Sequence, residues 1–193
     1  MTMYALASVL NQEENKIVHE IWDALEDHCG LKAVKISPIP HFSWFTFNEI
    51  DDLPGLEMEL FHWALSNGPF STKVNGLGVF SGDSPVIYLP LVRNPLLTAV
   101  HIDLINRIRS YIPVEDGFYD PMDWMPHITL AINDINEENM HCAIERCMQF
   151  NLQFDIFIDH IAILYMDENT FGLRKKFDFG TRNQHTTVGG QYK

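Results

Sequence analysis

The sequence predicts an α+β body made of two similar halves, and three observations carry that reading. A short pattern occurs twice, a proline followed by His-x-(Ser/Thr)-x inside an apolar run: Pro40-His41-Phe42-Ser43-Trp44 and Pro126-His127-Ile128-Thr129-Leu130. The same order of strand, helix and motif strand surrounds each copy. Apolar residues make up 46% of the 193-residue chain, with 13 Phe, enough for one sizeable core.

Taken in order, Tyr4-Leu10 reads as a strand. Asn11-Gln12-Glu13-Glu14 is a helix-start signal, Ile17, Ile21, Trp22 and Leu25 follow at helical spacing, and Gly30 stops the helix. Residues Ala33 to Phe47 contain the first motif strand, entered through Pro38 and Pro40, which cannot donate to a ladder. A helix is predicted over Leu56 to Leu65. Phe70-Phe80 and Ser84-Leu91 read as two strands joined around Gly82-Asp83, a turn pair. The second cycle opens with a helix from Pro95 to Tyr111, with Leu97, Val100, Leu104, Ile105 and Ile108 on one face. Pro113 to Met122 is a loop long enough to form part of a rim. Met125-Ile132 is the second motif strand, Glu137-Phe150 a helix, and Phe154-Met166 and Phe171-Phe179 a strand pair. No boundary divides residues 1–180, and the polar, Gly-containing stretch 181–193 is expected to be a flexible tail.

In a strand, side chains alternate faces with period 2. His41 and Ser43 therefore share one face while Phe42 and Trp44 point to the other, and His127 and Thr129 repeat this against Ile128 and Leu130. A single His in a strand is more often a structural residue than a catalyst. Two copies 86 residues apart, each after a proline, make coincidence the harder claim. Two such strands facing one another would offer two acid/base groups and two hydroxyl donors, suited to moving protons while holding a tetrahedral oxyanion.

Charge and cysteine content bound the partners and the setting. Thirteen Lys+Arg against 26 Asp+Glu give a formal net charge of −13, which disfavours long polyanions and argues against a long nucleic-acid track. Arg107 and Arg109 read as the wet face of a helix. Cys29, Cys142 and Cys147 are odd in number and form no C-x-x-C pair, which argues against a disulfide framework or thiolate zinc site and for a reducing, cytoplasmic setting. The apolar stretch through Leu10 is too short for a signal or a membrane span. A monomer without a membrane partner is expected. The other seven histidines, among them His160 on a late strand, make no H-x-x-x-H pair with a carboxylate partner, so no metal is expected.

The paired H-x-(S/T)-x strands, their spacing and the segment order resemble the two-histidine (2H) phosphoesterase superfamily, in particular its 2′-5′ RNA ligase-like and cyclic phosphodiesterase branch. Trp124-Met125-Pro126-His127-Ile128-Thr129-Leu130-Ala131 is the most specific part; His41-Phe42-Ser43-Trp44 departs by carrying Ser where Thr is commoner, but keeps the hydroxyl. The resemblance runs from about Met3 to about Gly180. It implies a two-lobed fold with two antiparallel sheets, pseudo-twofold symmetry about a central cleft, helices outside, and lobes that exchange strands. It implies hydrolysis of a nucleoside 2′,3′-cyclic phosphate end, or reversible joining of RNA ends through a 2′-5′ bond, without a cofactor. His41 and His127 would be the acid and base, Ser43 and Thr129 the oxyanion donors, and a small nucleotide or short RNA end the partner. A nucleotide-binding module with little turnover, and a phosphodiesterase of 2′-5′ oligoadenylate or cyclic dinucleotides, are the competing readings.

Further candidates for substrate binding come from side-chain type and place. Tyr88, Tyr119 and Trp124, with Phe80, could stack a base, each weighed against core packing. Arg93 and Arg174 could meet a phosphate. The net negative charge is expected to favour the imidazolium form of both histidines, with burial as the opposing influence.

Overall fold

The computed structural model describes residues 2–48, 50, 52–112, 117–167 and 170–181. The chain order is β1 (Met3–Val9), α1 (Gln12–Cys29), a 3₁₀ turn (Ala33–Ile36), β2 (His41–Phe47), α2 (Leu53–Ser66), β3 (Phe70–Asn75), β4 (Gly78–Phe80), β5 (Val86–Pro90), α3 (Pro95–Ile108), β6 (His127–Ile132), α4 (Glu137–Cys147), β7 (Gln153–Ile158), β8 (His160–Met166) and β9 (Phe171–Asp178). Seven strands form one antiparallel sheet in the order β4-β5-β6-β2-β1-β8-β9, and β3 pairs with β7 in a separate ribbon.

The helix boundaries follow from local chemistry. Asn11 caps α1 by accepting from the Glu13 and Glu14 amides while the Glu14 side chain reaches back to the Asn11 amide, and Gly30 ends the helix in the left-handed region at φ 72°. Asn94 caps α3, and Pro95 fills its first turn, where the missing N–H costs nothing. Asn136 caps α4.

Two predicted strands break in the middle. The stretch 70–80 divides into β3 and β4 at Gly76, whose φ of 92° turns the chain, and 154–166 divides into β7 and β8 at Asp159. The detached pieces β3 and β7 then pair with each other in the ribbon, Phe70 opposite Ile158 through Asn75 opposite Gln153.

The sheet order reveals the duplication. The run β1-α1-β2-α2-β3-β4 corresponds to β5-α3-β6-α4-β7-β8, and the halves exchange strands: β4 pairs with β5 of the second half, β8 with β1 of the first. The two motif strands meet at the centre through the single pair Phe42 and Ile128, the second residue of each motif. Counting outward from that antiparallel pair sets His41 across from Thr129 and Ser43 across from His127. Each motif strand also carries a bulge at the same place. Between β1 and β2 the register passes from Ala7/Ser43 to Leu6/Phe45, leaving Trp44 as the extra residue. Between β5 and β6 it passes from Tyr88/Thr129 to Ile87/Ala131, leaving Leu130. A bulge resets the alternation, so Thr46 and Ile132 return to the histidine face.

Behind that face lies the core. Phe42, Trp44, Ile128 and Leu130 are fully buried. Trp44 stacks on Trp124 with ring centroids 5.5 Å apart, and its indole N–H donates to Ser8 Oγ at 2.9 Å. His101 of α3 lies flat on Trp124 at 3.7 Å and donates through Nε2 to the Trp44 carbonyl at 3.1 Å. Its Nδ1 is buried without a hydrogen-bond partner among the described residues. Burial pushes the His101 pKa down to about 4. An unfolded chain takes up that proton near 6.5, so the folded state has its full stability above that pH and loses it as pH falls toward 4, by up to roughly 3 kcal/mol. Thermal denaturation across pH 7 to 4 is expected to show this fall, and His101→Phe is expected to flatten it. A Tm that does not move over the interval would contradict the assignment.

The cysteines correct the sequence reading. Cys29, at the end of α1, and Cys142, in α4, form a disulfide with Cα atoms 5.8 Å apart, while Cys147 is buried and free. Count and spacing say nothing about a helix end and a helix face that meet only after folding, and the cysteine argument for a reducing compartment falls with this pair. Among the described residues no helix is long and apolar enough to cross a membrane. The stretch expected to be a tail lies, from residue 182 on, outside the described residues, as do residues 113–116 of the expected rim loop.

Candidate active site

The four motif side chains come together. His41, Ser43, His127 and Thr129 line one cleft of about 280 Å³ at the junction of β2 and β6. The pleat explains this: each motif strand buries its second and fourth residues and leaves its first and third half-exposed.

Both imidazoles are held alike. His41 Nδ1 lies 2.7 Å from the Ile39 carbonyl, and His127 Nδ1 lies 2.7 Å from the Met125 carbonyl. A carbonyl only accepts, so Nδ1 carries the proton in each ring. The neutral form then leaves Nε2 as a base, and the protonated form makes the same atom an acid. Burial pushes both pKa values below 6.5, and for His41 a positive charge on nearby His127 pushes in the same direction. The sequence-based expectation of raised values is therefore reversed, because desolvation at the cleft outweighs the distant acidic surface. The pH optimum of kcat/KM is expected below about 6.5, since the group that must stay protonated in the free enzyme releases its proton early. A rate profile in saturating and limiting substrate checks this; an optimum above pH 8 would contradict it.

The remaining candidates divide. Tyr119 lines the cleft, packs on Phe45 at 5.4 Å, and faces the Ser43 and Thr46 hydroxyls, which oppose the upward push of burial on its phenol. Tyr88 does not line the cleft. It is buried, stacked on Phe80 at 4.1 Å, and supports the His127 ring from 5.1 Å, with Phe80 edge-on to the same imidazole at 5.0 Å. Trp124, 1% exposed, is core: it sits between Trp44 and His101, and its indole N–H donates to the Ser43 carbonyl at 3.1 Å. Arg93 is turned inward, donating to the carbonyls of Pro121 at 2.6 Å and Trp124 at 2.9 Å, which fixes the loop leading into β6. Arg174 is spent on Glu57 of α2 at 2.8 Å. His160 lies in a separate, smaller pocket, where Nε2 accepts from the Val9 amide and Nδ1 donates to Asp159. Among the described residues no group of three His, Cys, Asp or Glu side chains is arranged to hold a metal ion.

Several lining residues have no local sequence signal. Tyr4 on β1 and Tyr165 on β8 are register partners and both reach the cleft. Phe171 lies over His41 with ring centroids 6.1 Å apart. A Cβ on Gly172 would meet the Tyr165 ring at 2.8 Å, so the glycine is what lets that ring lie across β9. Trp22 of α1 closes one wall and donates to the Thr129 carbonyl at 3.1 Å.

One large and one small antiparallel sheet, with two similar His strands at the centre of the large one, match the fold that the resemblance to the two-histidine phosphoesterases implied. The family model of the 2′-5′ RNA ligase superfamily matches residues 13–170, and the chain belongs to that superfamily. Among solved structures, TT0787 of Thermus thermophilus is similar over 93% of this chain and 99% of its own, with a TM-score of 0.63 at 17% identity. E. coli LigT complexed with 3′-AMP is similar over 92% and 98%, with a TM-score of 0.53 at 16% identity. LigT complexed with ATP gives 93% and 99%, 0.52 and 14%. No curated protein sequence matches.

Proposed function

We propose that the protein is a metal-independent phosphodiesterase that opens a 2′,3′-cyclic phosphate, at an RNA end or on a small cyclic nucleotide, by paired histidine acid/base catalysis. The observation that supports this most is the matched tethering of the two imidazoles, each with Nδ1 on a backbone carbonyl and Nε2 left for chemistry in one cleft. One Nε2 removes a proton from water as its oxygen attacks phosphorus. The other delivers its proton to the ribose oxygen as the P–O bond breaks, giving a phosphomonoester and a free hydroxyl. The Ser43 and Thr129 hydroxyls donate to the non-bridging oxygens, whose charge grows in the transition state. A 5′-hydroxyl in place of water, in the same steps, would form a 2′-5′ bond as the P–O3′ bond breaks and the 3′-hydroxyl takes up the proton. The complexes of LigT with 3′-AMP and ATP agree with a small-nucleotide ligand.

Turnover of a 2′,3′-cyclic nucleotide, a cyclic-phosphate RNA end and a 2′-5′ dinucleotide, each in EDTA and followed by ³¹P NMR, tests the reading. Monoester product with full rate in chelator is expected. Tight binding without product would instead describe a nucleotide-binding module. Ser43→Ala and Thr129→Ala are each expected to slow the chemical step by at most about 10²- to 10³-fold, with Tm nearly unchanged. A collapse of Tm would make the hydroxyls structural.

A further inference from the structure

We infer that the cleft is built for a phosphodiester bearing one negative charge, with a single imidazolium as its counter-charge, and that it discriminates against the doubly charged monoester it produces. This rests on the phosphodiesterase reading and names the charge class of its substrate and product.

The cleft wall is neutral. Its described lining residues are aromatic rings, aliphatic side chains, two thioethers, hydroxyls, one amide and the two histidines, and among them there is no Lys, Arg, Asp or Glu. Five cations elsewhere in the fold are engaged with other partners. Arg93 closes on the backbone of residues 121–124, Arg174 and Lys175 share Glu57, Arg107 bridges Glu59 and Asp103, and Lys35 bridges Asp23 and Glu26. The influences on the His41 and His127 protons agree with a neutral wall: burial, a backbone carbonyl and, for His41, the other imidazole.

Charge then has to balance within the reacting groups. Acid/base catalysis needs one imidazole neutral and one protonated; above pH 7 the free pair is neutral and takes up one proton with the anion, so the occupied cleft offers one positive charge. A cyclic phosphodiester carries one negative charge, and the complex is neutral. Ring opening converts it into a monoester whose second proton leaves with a pKa near 6, so at neutral pH the product carries about one charge more than the site can match. An unpaired charge in a partly desolvated cleft is costly. The additional charge therefore favours product departure. Further phosphates on a longer substrate find no fixed cation in the described cleft wall, while flat apolar groups meet Tyr4, Tyr119, Tyr165 and Phe171.

The test compares two ligands that differ by one charge at the same phosphorus: a nucleoside 3′-monophosphate and its methyl ester, titrated into the wild-type protein at about pH 6.5, where the monoester is mostly doubly charged, by calorimetry and as inhibitors of cyclic nucleotide cleavage. The diester is expected to bind at least about tenfold more tightly. Across cyclic-phosphate substrates of one, two and three nucleotides, kcat/KM is expected to stay level or fall, with a log–log salt slope no steeper than about −1. A monoester that binds as well as or better than the diester, or a rate that rises about tenfold with each added nucleotide, would overturn the inference. Absence of any cyclic nucleotide turnover would count against the phosphodiesterase reading instead, and the calorimetric comparison would still decide the charge preference.

Discussion

Replacing His41 or His127 with Ala is expected to lower kcat for cyclic nucleotide opening by about 10²- to 10⁴-fold, the range for loss of one general acid or base. The two variants need not fall equally. The residue that activates water loses a step that solvent base replaces poorly, while a leaving ribose oxygen can collect its proton from water at some cost. The double variant is expected to be little worse than the poorer single one, because the pair acts as a unit. Folding is expected to survive, since both residues lie on the cleft side while the core is built from the opposite face of the same strands. Initial rates at limiting and saturating substrate, with Tm measured on the same samples, check this. Near-normal kcat in both variants would remove the histidines from the chemistry.

Trp44→Ala is expected to cost about 3–5 kcal/mol of stability, the usual penalty for emptying a large buried aromatic site. Trp44 is 0% exposed. It touches Phe42 at 5.0 Å, Trp124 at 5.5 Å and Trp63 at 6.5 Å between ring centroids, and its N–H is satisfied by Ser8. It is also the bulge residue of the first motif strand, immediately after Ser43. The same substitution should therefore loosen the Ser43 hydroxyl that lines the cleft, so activity measured well below the lowered Tm is expected to fall as well. Chemical denaturation gives the stability change; a loss under about 1 kcal/mol would mean that the core collapses around the gap.

The sequence was most informative where a local rule acts alone. Asn11 and Gly30 mark the ends of α1, Pro95 opens α3, and the period-2 alternation through His41-Phe42-Ser43-Trp44 separates the cleft face from the core. The four motif residues in one cleft follow from that alternation together with strands that meet at Phe42 and Ile128. The breaks near Gly76 and Asp159 were not legible because an apolar run has the same pattern whether it stays in one sheet or passes into a second. The bulges at Trp44 and Leu130 are set by neighbouring strands, so Thr46 could not be assigned to the cleft from spacing. Trp124 and Arg93 illustrate a different limit. Their side-chain types fit nucleotide recognition, but Trp124 finds a stacked core partner and Arg93 finds backbone carbonyls first. Cys29 and Cys142 lie 113 residues apart, and only the packing of α1 against α4 brings them together.

Paired acid/base catalysis requires two imidazoles that share a tether and differ in protonation when a phosphodiester is bound. Long-range ¹⁵N NMR of the histidine rings, with His41 and His127 assigned through single His→Gln variants, observes this directly. In the free protein above pH 7 both rings are expected as neutral Nδ1–H tautomers. On adding a slowly cleaved cyclic phosphorothioate, one is expected to become imidazolium while the other stays neutral. Nε2–H tautomers in the free protein, or two rings that ignore the ligand, would contradict the paired acid/base site.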